Sequence, residues 1–422
     1  MKKLLLAVLI LSTVPAQAVR EYYGISRSIR SLGMGGAFYG LSDDEYALFY
    51  NPAGLSLTER DSEFMLRLNA QSSLSTLKAL NTFTNLSDSS IGATVDKLTE
   101  YTGKPLYGQV GILPYYFHKH FAVGLLLADT KVDFALLGKD LDTVADLTAI
   151  SDSGLVLGYG RSLFHPNLHL GANLKGIFRG GGRRTFTTLD MAKNDTISLD
   201  AKQLGGAGVG VDLDLGATYD LPDLGFGLRH RASLVFSNLM ASNFSIARVE
   251  GAPPGLVRTL SVGWASVFEG YKFIDNFQVL VDFAEFGLGG ETDPDRGART
   301  GSFFKKMNFG VEMPIGRLAL RAGFHQGYVT AGLGINLRYF KLDFATYGEE
   351  LGDAPGRLES RRFALTLAIG GGSDNPAPVS SVREVPVTSK DVEAPKVQTP
   401  VDPGLEIKES PSAPKQESKS QN

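Results

Sequence analysis

No cysteine occurs among the 422 residues, which excludes a disulfide scaffold, thiolate metal ligation and thiol catalysis. Neither sign of charge is in excess: 42 basic and 45 acidic side chains give a formal charge of −3, so nucleic-acid binding has no electrostatic basis. Beyond the first 18 residues there is no unbroken apolar run of the ~18 residues that a helical membrane span needs. Nucleophilic chemistry also lacks its parts. The six histidines (His118, His120, His165, His169, His230 and His325) mostly map to expected turns, and no Gly-x-Ser-x-Gly elbow accompanies them. His118 and His120 share a strand face but read as a turn-solvated pair, and the Gly205–Gly210 run opens a strand, which is no phosphate cradle. The sequence therefore offers no catalytic residue, no metal site and no cofactor.

What is present in quantity is glycine, at 49 residues, together with 25 Phe and 15 Tyr. The two ends stand apart from the rest. Lys2 and Lys3, the apolar Leu4 to Val14 and the small-residue box Ala16-Gln17-Ala18 predict a signal peptide over 1–18, with a processed chain starting at Val19. Residues 371–422 hold 8 of the 19 prolines and no Phe, Tyr or Trp, so that tail is expected to be disordered. It reads as a solvated spacer or as a tether for a periplasmic protein.

Between the ends the polarity alternates residue by residue. Val209, Val211, Leu213, Leu215, Ala217 and Tyr219 oppose Gly208, Gly210, Asp212, Asp214, Gly216 and Thr218. Phe363, Leu365, Leu367 and Ile369 likewise oppose Ala364, Thr366, Ala368 and Gly370. A period of two with one apolar face is a half-buried strand. The same pattern predicts strand cores near 62–71, 108–117, 120–129, 152–162, 167–179, 207–219, 228–238, 256–267, 274–285, 303–313, 316–325, 328–338, 339–347 and 360–370. Fourteen strands of about 10 residues, joined by alternately long and short links, specify an antiparallel transmembrane β-barrel over 58–370. The segment 130–151 is expected to be one of the long outer loops. Tyr115, Tyr116, Phe117, Phe121, Tyr159, Phe164, Tyr219, Tyr339 and Phe340 are expected in an interfacial girdle.

Charge falls on the other parity. Arg67, Lys175, Arg179, Asp212, Asp214, Asp282, Glu312, Arg317, Arg321, Arg338, Lys341 and Asp343 are expected to face the lumen, with Lys175 and Arg179 paired to Asp212 and Asp214. A base on the lipid face would cost roughly 2–4 kcal/mol at the bilayer midplane. Inward glycines would let another part of the chain press on the wall.

That part is the segment 19–57. Gly33, Gly35 and Gly36 permit a tight backbone path, Asp43 and Asp44 are helix N-cap candidates, and Asn51-Pro52 ends the short apolar run Tyr46 to Tyr50. A compact unit of this size ahead of the barrel is expected to sit inside it as a plug. The stretch LGMGGAFYGLSDDEYALFYNPAGLS, Leu32 to Ser56, resembles the N-terminal hatch of the FadL-type long-chain fatty-acid transporters and their outer-membrane relatives, with Asn51-Pro52-Ala53 at the Asn-Pro-Ala signature. Leu320 to Tyr347 also looks like the closing hairpins of these proteins.

The resemblance implies a monomeric barrel in the bacterial outer membrane, in contact with membrane lipid, that carries a hydrophobic small molecule. It implies a hatch gate at Gly33, Gly35, Gly36, Asp43, Asp44, Asn51, Pro52 and Ala53, and escape of cargo sideways through the wall. Leu74, Leu77, Leu80 and Phe83 recur at helical spacing and offer an apolar access surface in the first outer loop, with a second run at Ile91, Val95, Leu98 and Tyr101. Relatives with the same hatch act as secretion-system shuttle or assembly proteins. The long tail keeps that alternative open.

Overall fold

The computed structural model describes residues 24–57, 62–83, 101–137, 144–187, 204–222, 228–249, 253–271, 274–288, 303–352 and 355–372. The expected signal peptide, the second apolar run up to Leu98 and the tail beyond Gly372 lie outside the described residues.

Fifteen strands form one antiparallel sheet. They are β1 Glu63–Ser73, β2 Leu106–His118, β3 Phe121–Leu137, β4 Val144–Ser162, β5 Leu168–Thr187, β6 Ala207–Asp220, β7 Leu228–Ser237, β8 Ile246–Val249, β9 Thr259–Tyr271, β10 Ile274–Gly287, β11 Met307–Ile315, β12 Leu318–His325, β13 Tyr328–Asn336, β14 Phe340–Glu350 and β15 Glu359–Gly372. Each pairs with its sequence neighbour except that β7 pairs directly with β9, while the four-residue β8 pairs with β6 at Val249–Ala207 and Ile246–Val209. The sheet closes where β1 pairs with β15, from Glu63–Gly372 to Ser73–Arg362. The ring therefore has fourteen strands and no open edge. Closure removes the unpaired backbone groups that hydrocarbon could not solvate.

Links at one rim are tight, as at Lys119-His120, Gly316-Arg317 and Leu337-Tyr339. The opposite rim carries the long ones, with Gln326-Gly327 as a short exception. Most strands show one apolar exterior face: Phe64, Leu66 and Leu68 on β1, Val211 and Leu215 on β6, and Leu365 and Ile369 on β15 are all exposed. Buried polar residues occupy the alternate positions. That inversion of an ordinary water-soluble surface is what a lipid-facing barrel requires.

Two expectations about extent are corrected. The expected loop 130–151 is mostly strand: β3, β4 and β5 run for 17, 19 and 20 residues. Tilted strands need only about 10 to cross a bilayer, so these three project beyond it at the long-loop rim. Leu136, Ala145, Leu147 and Leu204 form a satellite apolar cluster on the projection, which supports it without lipid. The expected girdle is also only partly right. Tyr116 is 42% exposed, but Tyr115 and Phe117 are at 1%, because neighbours on a strand point to opposite faces. Tyr159, Tyr219 and Tyr339 do face outward near the short-turn rim.

Candidate functional site

Residues 24–57 lie inside the ring and form the hatch. Their regular structure is slight: a helix at Ile29–Gly33 and two 3-10 turns at Glu45–Leu48 and Pro52–Ser56. Each begins on a side-chain cap, which supplies an acceptor for an otherwise unpaired N–H. Ser28 accepts from Ser31 N, Asp44 from Tyr46 N at 2.8 Å, and Asn51 from Ala53 N at 3.1 Å. Met34, Phe38, Tyr46, Leu48 and Leu55 are fully buried in one apolar cluster with wall residues Leu113, Phe117, Leu126 and Ala265. Such short turns owe their stability to this packing and not to helix propensity.

The wall receives the hatch on glycine. A Cβ at Gly310 would come 2.7 Å from Met34 Cβ, and one at Gly332 would come 2.9 Å from Gly33 Cα. At Gly216 it would meet Pro52 Cδ at 2.9 Å, and at Gly160 the Pro52 O at 2.6 Å. These distances are below any real carbon contact, so a side chain at any of the four would push the hatch off the sheet. The hatch returns the favour at Gly35, whose φ is +66° and whose own Cβ would lie 2.6 Å from Phe324 N.

Charge ties the hatch to the wall on the other side. Arg30 donates from Nη1 to Asp43 at 2.6 Å and Asp44 at 3.2 Å, and from Nε and Nη2 to Glu312 of β11 at 3.0 and 2.5 Å. Glu312 also accepts from Arg321 of β12 at 2.7 Å, and Arg321 donates to Asp343 of β14 at 2.7 Å. Asp343 lies 3.8 Å from Arg67 of β1, and Arg67 pairs in turn with Glu45 of the hatch. The chain of alternating charges begins and ends on the hatch and passes through four strands. Burial works against the Arg30 charge, but Asp43, Glu312 and Asp44 more than offset it and hold its pKa well above the ordinary value. Burial pushes the Tyr46 hydroxyl up, so it is a neutral phenol accepting from Asn69 Nδ2 at 2.9 Å.

Neutral hydrogen bonds complete the seat. Asn51 Nδ2 donates to Tyr39 O at 3.0 Å and to Thr218 Oγ1 of β6 at 2.9 Å. Asp282 of β10 accepts from the Phe38 and Tyr39 amides, the latter at 2.7 Å. Thr330 of β13 accepts from Gly35 N at 2.9 Å and donates to Gly33 O at 3.1 Å.

The structure thus brings Gly33, Gly35, Gly36, Asp43, Asp44, Asn51, Pro52 and Ala53 into one body against the wall. The first-loop residues stand elsewhere. Leu74–Phe83 is a helix, as its spacing foretold, with Leu74 and Leu77 exposed. Nothing brings these residues to the hatch among the described contacts. Of the inward charges, Lys175 reaches Asp214 at 2.7 Å, but Arg179 pairs with Asp152 of β4 at 2.7 Å and not with Asp212. The register explains it: Arg179 lies opposite Asp152 on one side and opposite Gly208 on the other. Asp212 instead accepts the Met240 and Ser242 amides, fixing a segment that turns inward and lays Phe244 against Gly210. Arg317 and Arg338 sit exposed in short turns and do not line the lumen.

Two histidines were missed. His169 Nδ1 lies 2.8 Å from Ser56 Oγ of the hatch, with Nε2 3.2 Å from Asp220, and His325 Nδ1 lies 3.1 Å from Gly35 O. Both are buried, and both fall on the inward parity of their strands. That parity, set beside Gly171 and Asn173 or Gly323 and Arg321, was the available signal.

The wall itself is interrupted beside the hatch. The β3–β4 ladder loses register between Leu126 and Asp129 and the β2–β3 ladder between Leu127 and Thr130, and Ala128 takes φ +46°. A bulge of this kind bends a strand and leaves its pairing locally open. Leu48 of the hatch touches the same strand, within 3.0 Å of a Cβ placed at Gly124.

A closed ring with an apolar exterior and a hatch wedged across its lumen defines a plugged transmembrane β-barrel of fourteen strands. No family model and no curated protein matches the chain. Among solved structures it is similar to the toluene transporter TbuX of Ralstonia pickettii, at 12% identity and a TM-score of 0.47, covering 83% of this chain and 98% of that one. The toluene transporter TodX of Pseudomonas putida gives 12% identity and a TM-score of 0.46 over the same shares. The CymD monoaromatic hydrocarbon channel gives 10%, 0.45 and again those shares.

Proposed function

We propose that the protein carries hydrophobic small molecules across a bacterial outer membrane, with the hatch closing the straight path and the wall providing a sideways one. The observation that carries this reading is the coincidence of a filled lumen with a broken ladder at Leu126–Asp129, next to Leu48. A greasy solute gains ~0.8 kcal/mol per CH₂ by staying out of water. A lateral step into lipid suits such a solute, and a water-filled pore does not. The hatch resemblance of Leu32–Ser56 points to the same cargo class. The test is uptake by a strain lacking this chain, measured with long-chain fatty acids and alkylbenzenes. Slower uptake of at least one of them, restored by the full chain, supports the reading, and unchanged uptake of all of them overturns it.

The proline-rich segment 371–422 supports a second role, the tethering of a periplasmic protein. Crosslinking directed from that segment in cells recovers a partner if the role exists. Recovery of none removes it.

A further inference from the structure

His169 stands where the hatch ends. It is the second residue of β5, just past the tight turn, and in register it lies opposite Ser162 of β4 and Thr218 of β6. Two residues further on, Gly171 receives Pro52 of the hatch. Ser56, the last residue of the second 3-10 turn, is buried against it.

The hydrogen bonds around the ring fix its charge. Ser56 donates its one hydroxyl proton to Ala53 O at 2.8 Å. Toward His169 Nδ1, also at 2.8 Å, the same oxygen therefore accepts, and Nδ1 carries a proton. Nε2 lies 3.2 Å from Asp220 Oδ2, a carboxylate that accepts, so Nε2 carries a proton too. A ring that donates from both nitrogens is an imidazolium. The charged groups that face it are Asp220 of β6 and, through Asp220, Arg231 of β7, whose Nε donates to Oδ1 at 2.6 Å. β4 and the hatch present the hydroxyls of Ser162 and Ser56.

Ser162 supplies the alternative. Its Oγ lies 3.0 Å from the same Nδ1. Asp220 keeps the Nε2 proton, so a neutral ring has lost the one on Nδ1, which then accepts. The Ser56 oxygen would face it lone pair to lone pair, whereas the Ser162 hydroxyl is free to turn and donate. The ring thus exchanges a partner on the hatch for a partner on the wall.

We propose that His169 is a proton-controlled latch: charged, it holds the barrel-side end of the hatch through Ser56, and neutral, it bonds Ser162 and lets that end go. Imidazole changes charge between about pH 5 and 8. Proton binding and seating of the hatch favour each other, so the end is held on the acid side of the transition and loosened on the alkaline side. The latch concerns the hatch alone and stands whatever cargo the barrel carries.

Hydrogen exchange in the purified full-length protein tests it, from about pH 5.5 to about pH 8. The reporters are the amides of Ala53, Gly54 and Leu57, which bond Asn51 Oδ1, Asn51 O and Gly54 O within the hatch. Dividing by the free-peptide rate at each pH removes the pH dependence of exchange itself. Protection is expected to fall about tenfold across the range, the worth of one charge-assisted hydrogen bond. His169→Gln keeps a donor that does not titrate, and its protection is expected to stay level. Ser162→Ala takes away the hydroxyl that the neutral ring needs, and is expected to move the transition upward by about 0.5–1 pH unit. Heat-modifiable electrophoretic mobility shows that each variant has closed its barrel. Level protection in the wild type overturns the latch, as does a His169→Gln slope equal to the wild type's. If His169→Gln fails to close, Ser162→Ala decides, and a transition that does not move overturns the latch.

Discussion

Two arcs of the wall hold the same hatch by different physics. Along β4, β5 and β6 the contact is neutral: Gly160, Gly171 and Gly216 bring bare backbone against Asn51-Pro52-Ala53 and Ser56. Along β11, β12, β14 and β1 an ionic chain through Glu312, Arg321, Asp343 and Arg67 is added to close glycine contacts at Gly310 and Gly323. Shape complementarity of the first kind is short-ranged and unforgiving of one added carbon. A buried ionic chain of the second kind gains little over an apolar core of equal volume, but losing one member strands the others. The neutral arc therefore sets where the hatch lies, and the ionic arc sets how it is oriented and how much a single loss costs.

The largest expected effect comes from the ionic arc. Glu312→Leu leaves Arg30 and Arg321 buried with part of their charge unmatched, and should lower stability by about 3–5 kcal/mol. The shift of the heat-modified band to lower temperature checks this, and an unshifted band would put the two arcs on an equal footing. Gly171→Val drives a side chain into Pro52 and should cost about 1–3 kcal/mol in the same assay. If it costs nothing, the hatch is looser on β5 than the contact distances state. Asn51→Ala removes a cap and the bond to Thr218, for about 1–2 kcal/mol, and should raise protease cleavage within 24–57. Arg361→Met breaks a pair with Glu359 near the long-loop rim, where the two side chains are 31% and 35% exposed. Its cost should stay below about 1 kcal/mol, so a large loss there would extend the ionic arc to the rim.

Much of this architecture was legible in the residues. Alternation alone located all fourteen ring strands, because a wall with lipid on one side and a packed lumen on the other imposes a strict period of two. Inward glycines announced a body pressed on the wall, and Leu32–Ser56 named the segment. What alternation could not convey was the partner of each charge. Arg179 had acids on offer from β4 and β6, and only the register decides between them. The projections of β3, β4 and β5 were missed because, beyond the lipid, both faces of β4 near Ala145–Ile150 are covered and polarity no longer alternates. The four-residue β8 is too short to show a period at all.

The most direct test of the account is electrical. Purified full-length protein in planar bilayers should show no large steady conductance, and deletion of 24–57 should open one in a barrel that still migrates as folded before boiling. A large steady conductance from the intact chain would contradict the closed lumen and the sideways route built upon it.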